Sequence, residues 1–391
     1  MIMRLISICL LFVILIPSCT EKNNISTNKD AIIVTDTIEK KPVLIDIDTN
    51  LSDAAKLIAG LKPMGENLHQ IIEKDFYQKY AAEIEKSWQI PDSAMLLPIK
   101  KWLTANNISD TSDSLLCFYP LSGPDFLFGN AFWPKAQSYI MLGLEPKGTP
   151  VDFTTLNDEK LKKYFNGVKE SLKYLNTRGY FVTMHMSSDF TKMHLNGMLH
   201  MMLFMIARTN HFIKDVYFVQ LDKNGELIKS SQAPKKSDTL ISAVAIDFLD
   251  DTRLITRTAY YFQLNAHDDN MAKHPEFEKF VMKFNNRVAY MKSASCVLQN
   301  TPFATMRKLV LSCQQIIQDD TGVPFRYFDT TQFNITLYGT YTSTIKDLNW
   351  CLQKDLVSAL KKSPYNKDLP FRISYNGNYG EGMLLHAVRK K

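Results

Sequence analysis

The stretch Leu115–Asp125, LLCFYPLSGPD, decides the fold class of this 391-residue chain. Its first part, Leu115–Tyr119, is a short and continuous apolar run, which is typical of a strand that is covered on both faces of a sheet. In the part that follows, Ser122 ends the strand, Pro124 suits the first turn of a helix, and Asp125 is favoured there by the helix dipole. The stretch therefore predicts a buried strand that leads directly into a helix.

Further apolar runs of strand length follow, and segments with helical periodicity lie between them. The predicted strands are Leu115–Tyr119, Tyr139–Leu144, Val216–Leu221, Ala243–Phe248, Thr258–Leu264, Phe333–Tyr338, Phe371–Tyr375 and Met383–Val388. The predicted helices are Leu156–Leu175, His194–Arg208, Pro275–Asn285, Thr305–Gln318 and Ile345–Lys361. Residues 222–225, DKNG, are typical of a hairpin turn, so at least one strand pair is antiparallel. We predict an α/β fold with a mixed, mainly parallel sheet that is covered by helices and has antiparallel additions.

The sequence before this region predicts an N-terminal helical segment over residues 51–106. Ser52 and Asp53 can cap its first helix, and Pro91 can begin its third. The second helix has an apolar stripe formed by Leu68, Ile71, Ile72, Phe76, Tyr80 and Ile84. We therefore expect a globular body over 51–391, helical over 51–106 and mixed α/β over 114–391. A smaller C-terminal lobe could begin at about residue 325, although no Pro/Gly/Ser-rich linker marks a boundary.

The first residues of the chain have the pattern of an export signal. Arg4 precedes the apolar run Leu5–Ile16, which is shorter than the roughly 20 residues of a membrane-spanning helix and ends at Ser18-Cys19. This pattern resembles the signal peptide and lipobox of bacterial lipoproteins. The resemblance implies that residues 1–18 are removed and that Cys19 carries acyl chains such as palmitate. Thr20, in place of an aspartate, favours the outer membrane, on its periplasmic or its outer face. The alternative is an ordinary signal peptide and a freely secreted protein.

Residues 19–50 are polar and have no sustained hydrophobic period, so they cannot bury enough surface to fold alone. We interpret them as a flexible tether with an average reach of roughly 30 Å. The membrane, reached through the N-terminal lipid, is therefore the one partner that the sequence suggests. Basic and acidic residues are interleaved along the chain despite a formal net charge of +6, and this pattern argues against nucleic-acid binding.

Four cysteines, Cys117, Cys296, Cys313 and Cys351, remain after Cys9 and Cys19 are set aside. An exported location permits disulfides, and these residues allow three pairings, of which Cys296 with Cys313 is the closest in sequence. Cys117 lies in an apolar run, where a buried free thiol is the ordinary interpretation. The sequence leaves the pairing open.

Polar residues that directly follow the predicted strands are the candidate site. Ligand crevices in α/β sheets open beyond the carboxyl ends of strands. This rule selects Ser122, Asp125, Glu145, Asn265 and Asp268 as a candidate pocket. If their carboxylates converge, burial could raise the pKa of one of them, as acid/base catalysis requires. Each residue is also an ordinary loop or capping residue, and no Walker, GxGxxG, GxSxG, HExxH or EF-hand motif is present.

A second pattern is the concentration of seven methionines and four histidines between Met184 and His211. On a helix His194, Met198, Met201 and Met205 would share one face, and such ligands suit Cu(I). Because the opposite face carries Leu195, Leu199, Leu203 and Ile206, we favour a fully buried core helix and commit to no metal or other cofactor. Asp319 and Asp320 are expected to end a helix and to form a structural ion pair with Arg326.

Several of these segments resemble blocks of an uncharacterised family of exported bacterial proteins. The blocks are 119–125, 143–146, 318–324 with 326–328, and 384–388. The resemblance implies export and supplies no activity. The sequence thus predicts a lipid-anchored envelope protein with a binding or accessory role, whose protein or small-molecule partner is undefined. The alternative is an envelope hydrolase that uses the carboxylates beyond the strand ends, with or without a divalent metal.

Overall fold

The computed structural model describes residues 43–108, 114–181, 195–230, 232–233, 240–375 and 382–390. Residues Val43–Lys391 form one compact unit. The possible smaller C-terminal lobe from about residue 325 falls within this unit. Residues 1–42, which include Cys19 and most of the predicted tether, lie outside the described residues.

The strands of the described residues form one ten-stranded sheet. They are β1 Leu116–Tyr119, β2 Ser138–Gly143, β3 Phe212–Leu221, β4 Leu227–Ser230, β5 Ser242–Leu249, β6 Arg257–Gln263, β7 Arg287–Met291, β8 Gln315–Gln318, β9 Phe333–Thr340 and β10 Gly382–Arg389. Their order is β4-β3-β5-β6-β2-β1-β7-β8-β10-β9. The strands from β6 to β8 run parallel, and the strands on both sides are antiparallel to their neighbours. The α/β class and the mixed sheet are confirmed, but parallel pairing is confined to the centre of the sheet.

Helices cover both faces of this sheet. The α-helices of the described residues are α1 Thr49–Ile58, α2 His69–Ile72, α3 Asp75–Pro91, α4 Leu97–Ala105, α5 Phe126–Phe132, α6 Asp158–Arg178, α7 Leu199–Arg208, α8 Asp268–Met271, α9 Pro275–Met282, α10 Ala304–Leu311 and α11 Lys354–Lys361. Helices α1 to α7 contribute to one core, together with Cys117 and Tyr119 of β1. Helices α8 to α11 contribute to the other, together with Leu116 and Phe118. Burial on both faces explains why β1 is a continuous apolar run.

The strand and helix predicted around residues 115–132 are confirmed. Strand β1 leads into α5, and Asp125 caps that helix because its carboxylate accepts a hydrogen bond from the Phe128 N–H at 3.2 Å. The predicted hairpin is also confirmed, since Asp222 accepts from the Asn224 and Glu226 N–H groups, each at 2.8 Å, between the antiparallel β3 and β4.

The helices and strands differ from the prediction at several places. The helix expected to run to Gln318 ends at Leu311, and the chain then forms β8. The strand expected over Phe371–Tyr375 is a buried loop, because Ser374 adopts a left-handed φ of 67° that extended backbone does not allow. A strand over Arg287–Met291 was missed.

The N-terminal boundary also differs from the prediction. The Ile45 N–H donates to the Arg253 carbonyl at 2.9 Å, so this part of the predicted tether belongs to the folded body. Pro91 ends α3 instead of beginning a new helix, and a π-helical turn over Asp92–Leu96 continues the chain into α4. Among the described residues, every helix is too short or too polar to cross a membrane.

Candidate functional site

A cleft of about 320 Å³ opens where the parallel strands β6, β2, β1 and β7 end. We call it the polar cleft. Its walls come from residues 121–123 and 125 after β1, 143–145 after β2, 264–266 after β6, and 292–295 after β7. This is the edge where α/β sheets bind ligands, because loops from neighbouring parallel strands meet there.

The structure brings together four of the five candidate residues. Ser122, Asp125, Glu145 and Asn265 line the polar cleft. Asp268 does not, because its carboxylate is turned to the start of α10, where it accepts from the Ala304 and Thr305 N–H groups, each at 2.9 Å. Asp268 is therefore a capping residue, and the idea that it joins the other carboxylates is wrong.

The centre of the polar cleft is a buried ion pair. Lys292 Nζ lies 3.2 Å from Asp125 Oδ2, with the two side chains only 2% and 3% exposed. The Tyr119 hydroxyl donates to the same oxygen at 2.9 Å. Lys292 also donates to the Gly179 carbonyl and lies 3.9 Å from the centre of the Phe128 ring. Each charge thus has its partners within the protein, which a buried ion pair requires.

Burial, together with the neighbouring Asp125 charge, raises the pKa of Tyr119 well above its ordinary value. Tyr119 therefore remains a hydrogen-bond donor at neutral pH. Burial likewise raises the pKa of Tyr290, whose ring lies 4.8 Å from that of Tyr119. The Tyr290 hydroxyl is buried and has no hydrogen-bond partner within the described ranges.

The loop after β7 has an unusual backbone. Ser293, Ser295 and Cys296 have φ values of 52°, 50° and 56°, in the left-handed region that residues other than glycine seldom adopt. Such conformations persist where the surroundings enforce them, and they cluster at functional sites. Here the Ser293 N–H donates to Asp319 Oδ2 at 2.7 Å, and the Tyr375 hydroxyl donates to the Ser293 carbonyl at 2.5 Å.

A disulfide joins the same loop to Cys351. Cys296 is bonded to Cys351, with the Cα atoms 6.3 Å apart. Cys117 and Cys313 are buried free thiols. The free thiol predicted for Cys117 is confirmed. The pair closest in sequence is not the bonded one, because Cys313 lies just after α10 with its thiol donating to the Leu309 carbonyl.

Asp319 and Asp320 follow β8 and lie behind this loop. Asp319 Oδ1 accepts from the Thr321 N–H at 2.8 Å, and Asp320 Oδ1 accepts from the Ser374 hydroxyl at 2.7 Å. Burial raises the pKa of both carboxyl groups, and for Asp320 burial and the Asp319 charge raise it to about 7. The predicted ion pair with Arg326 is not found among the described residues, and that guanidinium lies over the Tyr327 ring instead.

Two groups on residues that line the polar cleft have unused hydrogen-bonding capacity among the described residues. The Ser293 Oγ atom is buried and has no hydrogen-bond partner in the described part of the chain. Glu145 is 7% exposed, and its Oε2 accepts from the Leu144 N–H at 3.1 Å. Its other oxygen, Oε1, has no hydrogen bond within the described residues. The polar cleft therefore presents a hydroxyl and a carboxylate oxygen that could each bind a polar group.

The methionine-rich segment forms core. All residues of α7 are buried, and Met198, Met201 and Met205 are fully inaccessible. The interpretation of this segment as a core helix is confirmed for these residues, while His194 lies outside the described residues. Within the described ranges, no three His, Cys, Asp or Glu side chains are grouped as metal ligands would be.

Sequence reasoning missed Lys292 and Ser293 because it missed β7. The only local signal is that Val288–Met291 is an apolar run of strand length and that Lys292-Ser293 follow it directly, and a run this short fits the end of a helix equally well. No protein-family model, curated protein or solved structure matches this chain.

Proposed function

We propose that this protein is anchored by lipid to the bacterial outer membrane and that its α/β body binds a small, uncharged, hydroxyl-bearing ligand in the polar cleft. One observation supports the binding proposal. The loops of adjacent parallel strands form a single cleft in which, among the described residues, Ser293 Oγ has no hydrogen-bond partner and Glu145 Oε1 accepts no hydrogen bond. The volume of about 320 Å³ lies at the lower end of the range for ligand clefts, roughly 300–1,000 Å³, and so favours a small ligand.

The charges of the polar cleft favour an uncharged ligand. Asp125 and Glu145 contribute two carboxylates, and Lys292 contributes the single ammonium group among the described lining residues. The ammonium group is already paired with Asp125. An anion would therefore meet an excess of negative charge in a partly desolvated site, where like charges repel more strongly than in water.

Binding has more support than hydrolysis. Asp125 uses Oδ1 to cap α5 and Oδ2 to accept from Tyr119 and Lys292. A pair of catalytic carboxylates needs two groups that can exchange protons with the substrate. Glu145 alone retains a carboxylate oxygen without a hydrogen bond among the described residues.

The envelope location is supported by two independent features. The first is the lipoprotein-like sequence around Cys19. The second is the disulfide between Cys296 and Cys351, since such bonds persist mainly in exported proteins. Metabolic labelling with an alkyne palmitate tests the anchor: the native chain should be labelled and Cys19→Ala should not. Equal labelling of both would contradict the anchor without bearing on the polar cleft.

Saturation-transfer NMR with glucose, galactose and N-acetylglucosamine tests the binding proposal. We expect transfer from at least one of these sugars and none from sodium glucuronate. Ser293→Ala and Glu145→Ala should each weaken binding about fivefold, the effect of losing one hydrogen bond. Ser358→Ala, at an exposed position of α11, is the matched control and should change nothing.

Failure of all three neutral sugars to bind the folded protein would contradict the proposal, as would binding that neither variant weakens. The same protein, incubated with nitrophenyl glycosides, tests the hydrolase alternative. Release of nitrophenol that disappears in Glu145→Gln would favour the hydrolase over the binding protein.

A further inference from the structure

A second and larger cavity, of about 520 Å³, lies against α4 and α5. We call it the apolar groove. Its lining includes Trp133 and Lys135, which come shortly before β2, and the Lys135 carbonyl accepts a hydrogen bond from Arg257, the first residue of β6. The apolar groove is therefore at the amino ends of these two strands, and the polar cleft is at their carboxyl ends. The two cavities share no lining residue among those described.

The walls of the apolar groove are mostly hydrocarbon. Leu96, Leu103, Leu127 and Phe132 line it, and Leu97, at its edge, is 47% exposed. The accessible part of this apolar lining, at Leu96 and Leu97, gains free energy when a ligand removes it from water. These walls fit an alkyl chain.

Among the residues that the structure describes, the charged groups at the rim of the groove are all positive. Lys100 and Lys135 are exposed lining residues, and no Asp or Glu is among the described lining residues. Neither lysine has an ion-pair partner within the described part of the chain. Two unpaired ammonium groups beside an apolar surface are complementary to an anionic head group.

A buried donor points to a ligand in the same place. Trp133 is only 1% exposed, and its indole Nε1–H has no hydrogen-bond partner among the described residues. Buried donors are nearly always paired, so an unpaired donor on a residue that lines the groove is a position where a ligand oxygen would be stabilised if the ring shifts to reach it. Asn130, another lining residue, donates to the Tyr139 hydroxyl at 3.2 Å and is already paired.

We propose that the apolar groove binds a single-chain amphipathic carboxylate, a free fatty acid. Its alkyl chain lies against Leu96, Leu97 and Leu103, and its carboxylate is held by Lys100 and Lys135. This site is independent of the sugar-binding proposal, because the ligand classes differ and the lining residues are separate.

Calorimetric titration of the full chain with sodium dodecanoate, below its micelle-forming concentration, tests the proposal. We expect binding of one dodecanoate per protein, and a shift of the Trp133 indole N–H resonance when dodecanoate is added. Sodium acetate, which lacks the chain, and dodecyltrimethylammonium, which reverses the charge, should both bind at least tenfold more weakly.

The double variant Lys100→Glu/Lys135→Glu should lose at least tenfold in dodecanoate affinity and gain affinity for dodecyltrimethylammonium. Lys101→Glu is the matched control, because Lys101 is an exposed neighbour on α4 that does not line the groove. All three substituted lysines are exposed, and circular dichroism checks that each variant is folded. No binding of dodecanoate to the native chain, equal losses in the double variant and the control, or equal binding of the two detergents of opposite charge would each overturn the proposal.

Discussion

The polar cleft and the apolar groove lie at opposite ends of β2 and differ in how their polar groups are paired. In the polar cleft, Lys292 and Asp125 are buried and bound to each other. In the apolar groove, Lys100 and Lys135 are exposed, and the Trp133 N–H is unpaired among the described residues. The chemistry of the cleft is thus part of what holds the fold together, whereas the charged groups of the groove can be changed without disturbing the core.

The test with the largest expected effect replaces one lysine in each cavity. Lys292→Met leaves Asp125 as an unpaired buried charge, and we expect a loss of about 3–5 kcal/mol in the free energy of unfolding. Lys100→Met removes an exposed charge and should change it by less than about 0.5 kcal/mol. Urea denaturation at pH 7 measures both.

The double variant Lys292→Met/Asp125→Asn serves as the control for the ion pair. The asparagine that replaces Asp125 has no charge to leave unpaired and can still cap α5, so the double variant should recover at least half of the loss. Equal destabilisation by Lys292→Met and Lys100→Met would remove the distinction between the two cavities.

The second test concerns crowding at the base of the polar cleft. Gly143 ends β2, and a Cβ atom there would collide with the Tyr261 hydroxyl and lie 2.9 Å from Glu145 Oε2. We expect Gly143→Ala to cost about 2–3 kcal/mol, because overpacking forces these side chains to move. Thermal unfolding measures the loss.

Gly123→Ala is the comparison for Gly143→Ala. At Gly123 a Cβ atom would meet no atom within 4 Å, but φ is +59°, so only the backbone preference is lost. A cost of about 1 kcal/mol is expected there. A Gly143→Ala variant no less stable than Gly123→Ala would show that the side chains move aside freely and that the cleft is not tightly packed.

The third test is how the stability of the protein depends on pH through Asp320, which lies behind the polar cleft. Burial and the Asp319 charge raise the pKa of Asp320 from 3.8 to about 7, so between these values the folded state holds a proton that the unfolded chain releases. The stabilising contribution is complete below about pH 4 and is lost as the pH rises through 7. We expect the free energy of unfolding to fall on the order of 2 kcal/mol from pH 5 to pH 8.

Asp320→Asn should flatten this slope, because the amide keeps the acceptor for Ser374 and does not titrate. Denaturant titrations at several pH values compare the two proteins. A slope that is unchanged in Asp320→Asn would assign the pH dependence to another group.

The strand and turn of residues 115–125 were predictable because their signals are local. A short apolar run and a Ser-Gly-Pro-Asp turn determine β1 and the start of α5 within a few residues. Once β1, β2 and β6 are parallel neighbours, the residues after them must meet at one edge, which places Ser122, Glu145 and Asn265 together. This part of the site follows from sequence pattern and topology.

The rest of the site depends on contacts between distant residues. Asp268 caps a helix that begins at Ala304, and no local pattern reports such a contact. Strand β7 is short and pairs with β1, which lies far away in sequence, so its apolar run could not be distinguished from a helix end. Lys292 was therefore missed. The apolar groove was missed for the same reason, since Lys100 and Trp133 converge only in the folded chain.

The test with the smallest expected effect compares two buried tyrosines that differ in whether their hydroxyl groups are hydrogen-bonded. Tyr119 and Tyr290 are both buried in the same core, on adjacent strands, but the Tyr119 hydroxyl donates to Asp125 and the Tyr290 hydroxyl has no partner among the described residues. Tyr119→Phe should cost about 1–3 kcal/mol, since it removes a hydrogen bond to a charged group. Tyr290→Phe should be neutral within about 0.5 kcal/mol or stabilising, because it removes an unpaired buried polar group.

Urea denaturation of the two variants measures the difference in their free energies of unfolding. A loss in Tyr290→Phe as large as that in Tyr119→Phe would mean that the Tyr290 hydroxyl is paired. In that case an unpaired donor would also be a poor guide to the ligand of the apolar groove, and the assignment there would depend on the two lysines alone.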